Sequence, residues 1–531
     1  APKISVQGAD FRFRLDRNLF EPASGPAQFG IAMNDWGHRF ITTNTVHVRH
    51  VVVPWRYLRR NPFLVAGPPA LDISDHGTPA VPIFPLTTPQ HWRQVRTRMR
   101  QQRYRDNQLD RVEHVGGYFS GAAGGTIYGG TLFPKPYWGN LFTGDVSANL
   151  VHRDELTPAG VSFVASRPLG EEKREFLAST DVWFRPCNFA TGPDGALYIV
   201  DMYREFIETP ESVPEELKKD INFYSGDTMG RIYRILPKTV SLSAGRRAVR
   251  LGGLTSEELV TYLADQNSWW RLTAQRLLLE RQDQTVVPQL KEMALNHSSP
   301  QARLHALCSL EGLSALDAAW LGLMLEDVHP EVRVHAVRLS EAFPELLPPL
   351  VLMVDDPSLR VVFQLAFSLG EFSGPKVVNT LARLSQRHAE NPWFRTALLS
   401  SEIGSSNTLL KALLKIPNFW DEATIEKSSF LKELAAVIGA RNKFSELTAF
   451  LMEISQGRFF EKESWLIASV KGLTRGLKVT GAPRQNIRGA QKVTHRLMGV
   501  SSLEAQEAAR AMVIQFKLPG LFATAKQDAL N

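Results

Sequence analysis

The chain has 531 residues, 44% of them hydrophobic and 22% charged, with a formal charge of +7; this is the make-up of a globular protein of two to four domains and excludes a disordered or fibrous one. Its two cysteines, Cys187 and Cys308, read as lying in different domains, which excludes a disulfide framework and a cysteine-based zinc site, and the lack of CxxCH excludes haem attachment through that motif. No apolar run approaches the roughly eighteen residues of a membrane-spanning helix, and the opening APKISVQGADFRFRLDR reads as strand, with no signal-peptide core.

Residues 1–238 read as short strands divided by turn chemistry. GIAMNDWGHRFITTN (30–44) sets an Asp-Trp-Gly turn between two apolar runs. Residues 60–115 form an excursion whose segment HWRQVRTRMRQQRYRDNQLDR (91–111) carries seven arginines against two aspartates. Its spacing suits a solvated helix over the face of the sheets; a grip on nucleic acid is the weaker alternative. GGYFSGAAGG (116–125) is rich in glycine but has neither the Gly-Lys-Ser/Thr of a phosphate loop nor a GxGxxG before a helix. Strand runs alternate with Gly-Asp and Pro-Ala-Gly breaks through 137–166. FRPCNFATGPDGALYIVDMYRE (184–205) repeats the plan of strand, Asp-Gly turn and strand, and GDTMGRIYRIL (226–236) closes the region. This recurrence predicts successive blades of a β-propeller rather than a sandwich, and 238 residues would hold about three to four blades of about 45 residues each. GxSxG and HExxH are both missing, which counts against common hydrolases and metalloproteases.

From residue 250 to about 480 the period becomes helical. SPQARLHAL (299–307), HPEVRVHAV (329–337), DPSLRVVFQLA (356–366) and NPWFRTALL (391–399) share a polar residue, then proline, then arginine three places later. Proline costs nothing in a first helical turn, where its missing N–H would have no partner. Arg303, Arg333, Arg360 and Arg395, with Arg271 as an earlier member, recur at the spacing of stacked helix pairs, a HEAT-like α-solenoid. Residues 481–531 read as a helical extension containing an amphipathic helix at 501–516.

Chemistry-bearing residues concentrate in the strand-rich part. Asp201, Tyr203 and Arg204 end one strand and Arg185 precedes it, so ring-facing groups there could bind a sugar or an anionic cofactor. The plainer reading of Arg185 and Asp201 is an ion pair that holds the sheet. His152 and Arg153 follow Asp145 and Asn149, a cluster suited to carbohydrate hydroxyls or to a calcium ion at Asp145. His47 has no evident role.

The runs FRFRLD…GPAQFGIAMNDWGHRFITTN…RHVVVPWRYLRRNP, TIYGGTLFPKPYWGNLFTGDVSANLVHR and STDVWFRPCNFATGPDGALYIVDMYRE…GRIYRI together resemble the membrane-bound dehydrogenase propeller family. That family is related to soluble sugar dehydrogenases and commonly continues into HEAT repeats and a CxxCH cytochrome module. The likeness covers about residues 9–238 and implies the C-terminal part of such a propeller, with any cytochrome module outside this chain. It implies a periplasmic, cell-envelope or secreted setting, a carbohydrate substrate, pyrroloquinoline quinone and Ca²⁺ as cofactors, and a cytochrome or other protein docked on the solenoid. His50, at the family's His-Val-Val-Leu-Pro position, would be the base, Arg185 the anchor for quinone or substrate, and Asp201 the orienting group. The chain departs from the family where Tyr128-Gly129-Gly130-Thr131 replaces Tyr-Arg-Gly-Asp and Thr209 replaces histidine. Those losses of charged groups favour the alternative, a non-catalytic propeller that binds a glycan or a protein beside a helical scaffold.

Overall fold

The computed structural model describes residues 7–14, 17–219, 221–241, 243, 245, 248–416, 418–480 and 487–518. The first six residues of the expected opening strand lie outside them. The fold is mixed β and α, with several small antiparallel sheets followed by helices. Strands β1 (Asp10–Arg14) and β2 (Leu19–Ala23) pair with each other. The first larger sheet runs β3 (Gly30–Met33), β4 (Arg39–Thr42), β5 (Arg49–Val51), β6 (Ala70–Asp72) in that order. The second runs β7 (Ala122–Ile127), β8 (Leu141–Asp145), β9 (Leu150–Ala159), β10 (Ser162–Ser166), with β11 (Leu177–Ala178) also on β9. The third is β12 (Pro186–Thr191), β13 (Leu197–Asp201), β14 (Arg231–Ile235). All three are meanders, in which neighbours along the chain are neighbours in the sheet, except that β11 pairs with β9 and not with β10.

The turns do what their residues dictate. Asn34 Oδ1 accepts from the N–H groups of Trp36 and His38, closing the β3–β4 turn with Gly37 at φ +79°. Between β12 and β13, Asp194 accepts from Ala196 N at 3.1 Å, Tyr198 Oη at 2.9 Å and Arg234 Nε at 2.5 Å.

Glycines let the first strands of the three sheets meet. A Cβ on Gly124 would stand 2.6 Å from Asn188 Cα in β12, and one on Gly30 would stand 2.7 Å from Gly125 N in β7. The Gly124 N–H donates to Phe29 O at 2.9 Å, just before β3. The glycine-rich GAAGG stretch therefore serves strand contact. Apolar side chains fill the spaces between sheets: Phe40, Val48, Leu141 and Phe163 in one cluster, and Phe142, Val151, Phe189, Leu197 and Ile199 in another.

The change from strand to helix falls between Ile235 and Leu251, where the composition changes. Helices begin at Ser268, Pro300, Pro330, Leu359 and Pro392, and the recurring arginine has a common task. Arg271, Arg303, Arg333 and Arg395 each turn Nη1 back to the carbonyls five and six residues earlier, for example Arg303 to His297 O at 2.8 Å. A guanidinium there satisfies oxygens at the end of the preceding segment. Arg360 reaches Glu331 Oε1 at 2.9 Å. The amphipathic helix expected at 501–516 spans Leu503–Phe516.

The compact units do not divide where the secondary structure changes. Unit one comprises Ala1–Val52 and Pro68–Leu316, so it includes the first helices; unit two comprises Val53–Gly67 and Asp317–Asn531. Segment 53–67, at the start of the excursion after β5, thus belongs with later helices, and its helix α1 (Trp55–Arg59) buries Tyr57 there. Cys187 and Cys308, expected in separate domains, both fall in unit one, and neither forms a disulfide. The arginine-rich helix α2 (His91–Asp106) is solvated on one side only, because Trp92, Arg93, Arg96 and Thr97 are buried. Among the described residues, no helix is long and apolar enough to cross a membrane.

Candidate functional site

Unit one holds two polar sites. The first lies where β12 and β13 meet the loops after β8 and before α2. Arg185 is 3% exposed, and its backbone N–H donates to Asp201 Oδ1 at 2.7 Å. Its guanidinium donates to three carbonyls: Arg204 O at 2.9 Å, Val146 O at 2.8 Å and Glu205 O at 2.8 Å. Burial, then the neighbouring Arg93 charge, pulls the Arg185 pKa down to about 10. Gln90, Trp92, Arg93, Ser147, Asn149 and Arg185 line a narrow cleft. Arg93 is buried and Nε has no hydrogen-bond partner, while Asp145 and Asp201 balance the two guanidinium charges nearby.

Asp145 has no free oxygen for an ion. Oδ2 accepts from Ser120 N and Gly121 N at 2.9 and 3.0 Å, and Oδ1 from Ser147 N and Ala148 N at 2.8 Å each. The calcium assignment therefore fails on geometry, since the carboxylate is committed to closing the turn after β8. Asn149 sits at φ +58°, a conformation asparagine tolerates, and its amide donates to Val182 O and Phe184 O at 3.0 and 2.7 Å. Tyr203 donates its hydroxyl to Asp181 at 2.9 Å, and Arg204 donates to Phe223 O at 2.9 Å.

His50 is elsewhere. It is 2% exposed on β5, its Nδ1 lies 2.9 Å from Ser162 Oγ, and its ring packs against those of His38, Phe40 and Phe163. It does not line the cleft of Arg185. The proposed base and the proposed anchor thus stand in different surroundings, each bound into structure. Arg153 pairs with Glu171 at 2.7 Å and lies over the Tyr137 ring, also outside the cleft.

The second site is built on β9. Residues two apart on a strand share a face, so His152 and Asp154 project together. His47, from the β4–β5 loop, brings Nε2 to 2.8 Å from Asp154 Oδ2. His152 brings Nε2 to 3.2 Å from Asp154 Oδ1, and His76, after β6, brings Nε2 to 3.7 Å from the same oxygen. On its other side His152 Nδ1 meets Glu175 Oε2 at 2.7 Å, and Arg167 donates to Glu175 Oε1 at 2.9 Å. The Phe119 ring stacks on His47 at 4.7 Å.

The electrostatics follow from burial and from the carboxylates. Burial disfavours charge on His152, but Asp154 and Glu175 outweigh it and push its pKa up to about 9. His47 and His76 are held below the ordinary value, burial being the larger influence in each. Asp154 is held far below the usual carboxylate range: burial opposes its charge, but His152 and His47 prevail.

Residues 1–239 match DUF7133, a domain of unknown function. The match covers the strand-rich part and both sites. A search of curated proteins returns no match.

Of the residues read from the sequence, the structure gathers Arg185, Asp201 and Asn149 with Arg93 around one corner. It separates them from His50 and sends His152 to the other site. His47, His76, Asp154 and Glu175 come together only in the fold. The His-x-Asp spacing at 152–154 was their one local signal.

Proposed function

We propose that residues 1–238 are part of a sugar-dehydrogenase-like β-propeller that recognises a neutral carbohydrate, and that the helical repeats form a HEAT-like scaffold for a protein partner. Support for the propeller comes from three consecutive meanders whose first strands lie side by side through glycine contacts. The observation that carries the ligand reading is the cleft between α2 and β12. It combines a tryptophan, amides, a hydroxyl and two guanidiniums, while Asp145 and Asp201 cancel the positive charge. Balanced charge beside the unpartnered Arg93 Nε suits a neutral hydroxyl group better than a carboxylate or phosphate. The cleft's water-sized room suits a single sugar hydroxyl, with the ring outside. On this reading the chain works in the periplasm or at the cell envelope.

The test is a glycan array followed by calorimetry on wild type and on Gln90→Ala/Arg93→Gln. We expect neutral oligosaccharides to bind and the double variant to lose at least about tenfold in affinity, the loss of one or two good hydrogen bonds. Absent glycan binding, or equal affinity in the variant, would overturn the reading.

A second reading is quinone-dependent sugar oxidation with electrons passed to a cytochrome module. The buried guanidiniums of Arg185 and Arg93 favour it, because such donors also suit quinone carboxylates. It needs a base other than His50. Dye reduction on adding pyrroloquinoline quinone, Ca²⁺ and a sugar panel would support it over simple binding.

A further inference from the structure

We propose that His47, His76, His152 and Asp154 bind one divalent transition-metal ion, zinc being the best match. This site is independent of the carbohydrate cleft. The four residues offer donor atoms that all lie within 4.8 Å of one another, the one such group among the described residues. Three imidazole Nε2 atoms face a single carboxylate at 2.8, 3.2 and 3.7 Å. Zinc–nitrogen bonds of about 2.0–2.1 Å imply tetrahedral edges of about 3.3 Å, inside that spread, so small shifts would seat the ion.

What lies behind His152 and His76 also fits, while His47 Nδ1 is buried without a hydrogen-bond partner. A metal-bound histidine commonly gives its other ring nitrogen to a carboxylate, which sets its tautomer and strengthens the donor. His152 Nδ1 faces Glu175 at 2.7 Å, and His76 Nδ1 faces Asp75 at 3.0 Å. Arg167 in turn holds Glu175 at 2.9 Å. An ion-pair network would account for His152 and Asp154 but leaves His76 Nε2 buried with no hydrogen-bond partner. A ligand role employs that nitrogen. His47, His152 and Asp154 are fully buried, so the site has four protein ligands and no wide opening to solvent. That is the pattern of a structural centre, and soft sulfur-seeking metals are disfavoured by its nitrogen and oxygen donors. The ion would tie the β4–β5 loop and the segment after β6 to β9, joining the first and second sheets.

The test uses the full chain purified without chelator. Elemental analysis should find close to one zinc per chain. Cobalt substitution should give the intense visible bands of a tetrahedral site, and removal of the metal should lower the melting temperature by at least about 5 °C, reversed by zinc. His152→Ala should abolish cobalt binding. Should that variant fail to fold, His76→Gln, altering the least buried ligand, should weaken cobalt binding at least tenfold, whereas His50→Gln should leave it unchanged. Metal-free protein with no cobalt bands and a chelator-insensitive melting temperature would overturn the proposal. So would an unaltered cobalt spectrum and affinity in His76→Gln.

Discussion

Tyr57 is buried, with its hydroxyl donated to Glu341 Oε1 at 2.6 Å and accepting from Gln364 Nε2 at 2.7 Å. Its ring stacks on Phe367 with centroids 4.5 Å apart. Burial, with the Glu341 charge, pushes its pKa up to about 12. An unfolded tyrosine ionises near pH 10, so the folded state favours the neutral phenol. That contribution is complete below about pH 10 and is lost as the pH rises toward about 12. Tyr57→Phe should therefore destabilise the chain by about 1–2 kcal/mol at pH 8, and the gap from wild type should narrow by pH 11. Denaturant unfolding at both pH values measures this; a gap independent of pH would refute the assignment. The same force, burial, misleads a reading of residue types alone. Arg185 and His50 were both expected to face one site, as anchor and base. Arg185 reaches a cleft, and His50 ends among phenylalanines because β5 turns that face toward the core.

At the scale of elements, the close approach of β3, β7 and β12 is the feature the sites depend on. Gly124 lies at φ +68°, and an added Cβ would stand 2.6 Å from Asn188 Cα. Gly124→Ala should cost more than about 2 kcal/mol by adding left-handed strain to overpacking. A loss below 1 kcal/mol in thermal or denaturant unfolding, about the cost of an ordinary surface change, would show that the strands can separate without penalty. Such elements were legible in part. The hairpins declared themselves through Asn-Asp-Trp-Gly and Pro-Asp-Gly, and the helices through proline followed by arginine, since each signal is local. The glycines of 121–125 were visible too, but not what they approach, because Asn188 is more than sixty residues away.

For the molecule as a whole, the change from strands to helices was plain in composition, while the grouping into compact units was not. Residues 53–67 read as part of the strand-rich region. Yet Asn61 donates to Leu399 O at 2.8 Å and Ser405 Oγ at 2.7 Å, contacts across more than three hundred residues that no local pattern encodes. The histidine cluster was hidden for the same reason: its four members come from three separated segments. On the proposed function, ligand recognition belongs to the cleft beside Arg185 and not to the helical repeats. Hydrogen–deuterium exchange on the full chain, with and without the tightest neutral oligosaccharide found on the array, tests it most directly. Exchange should slow at 88–93, 146–149 and 182–185, with unit two unchanged. Protection confined to the helical repeats, or absent from those three segments, would contradict it.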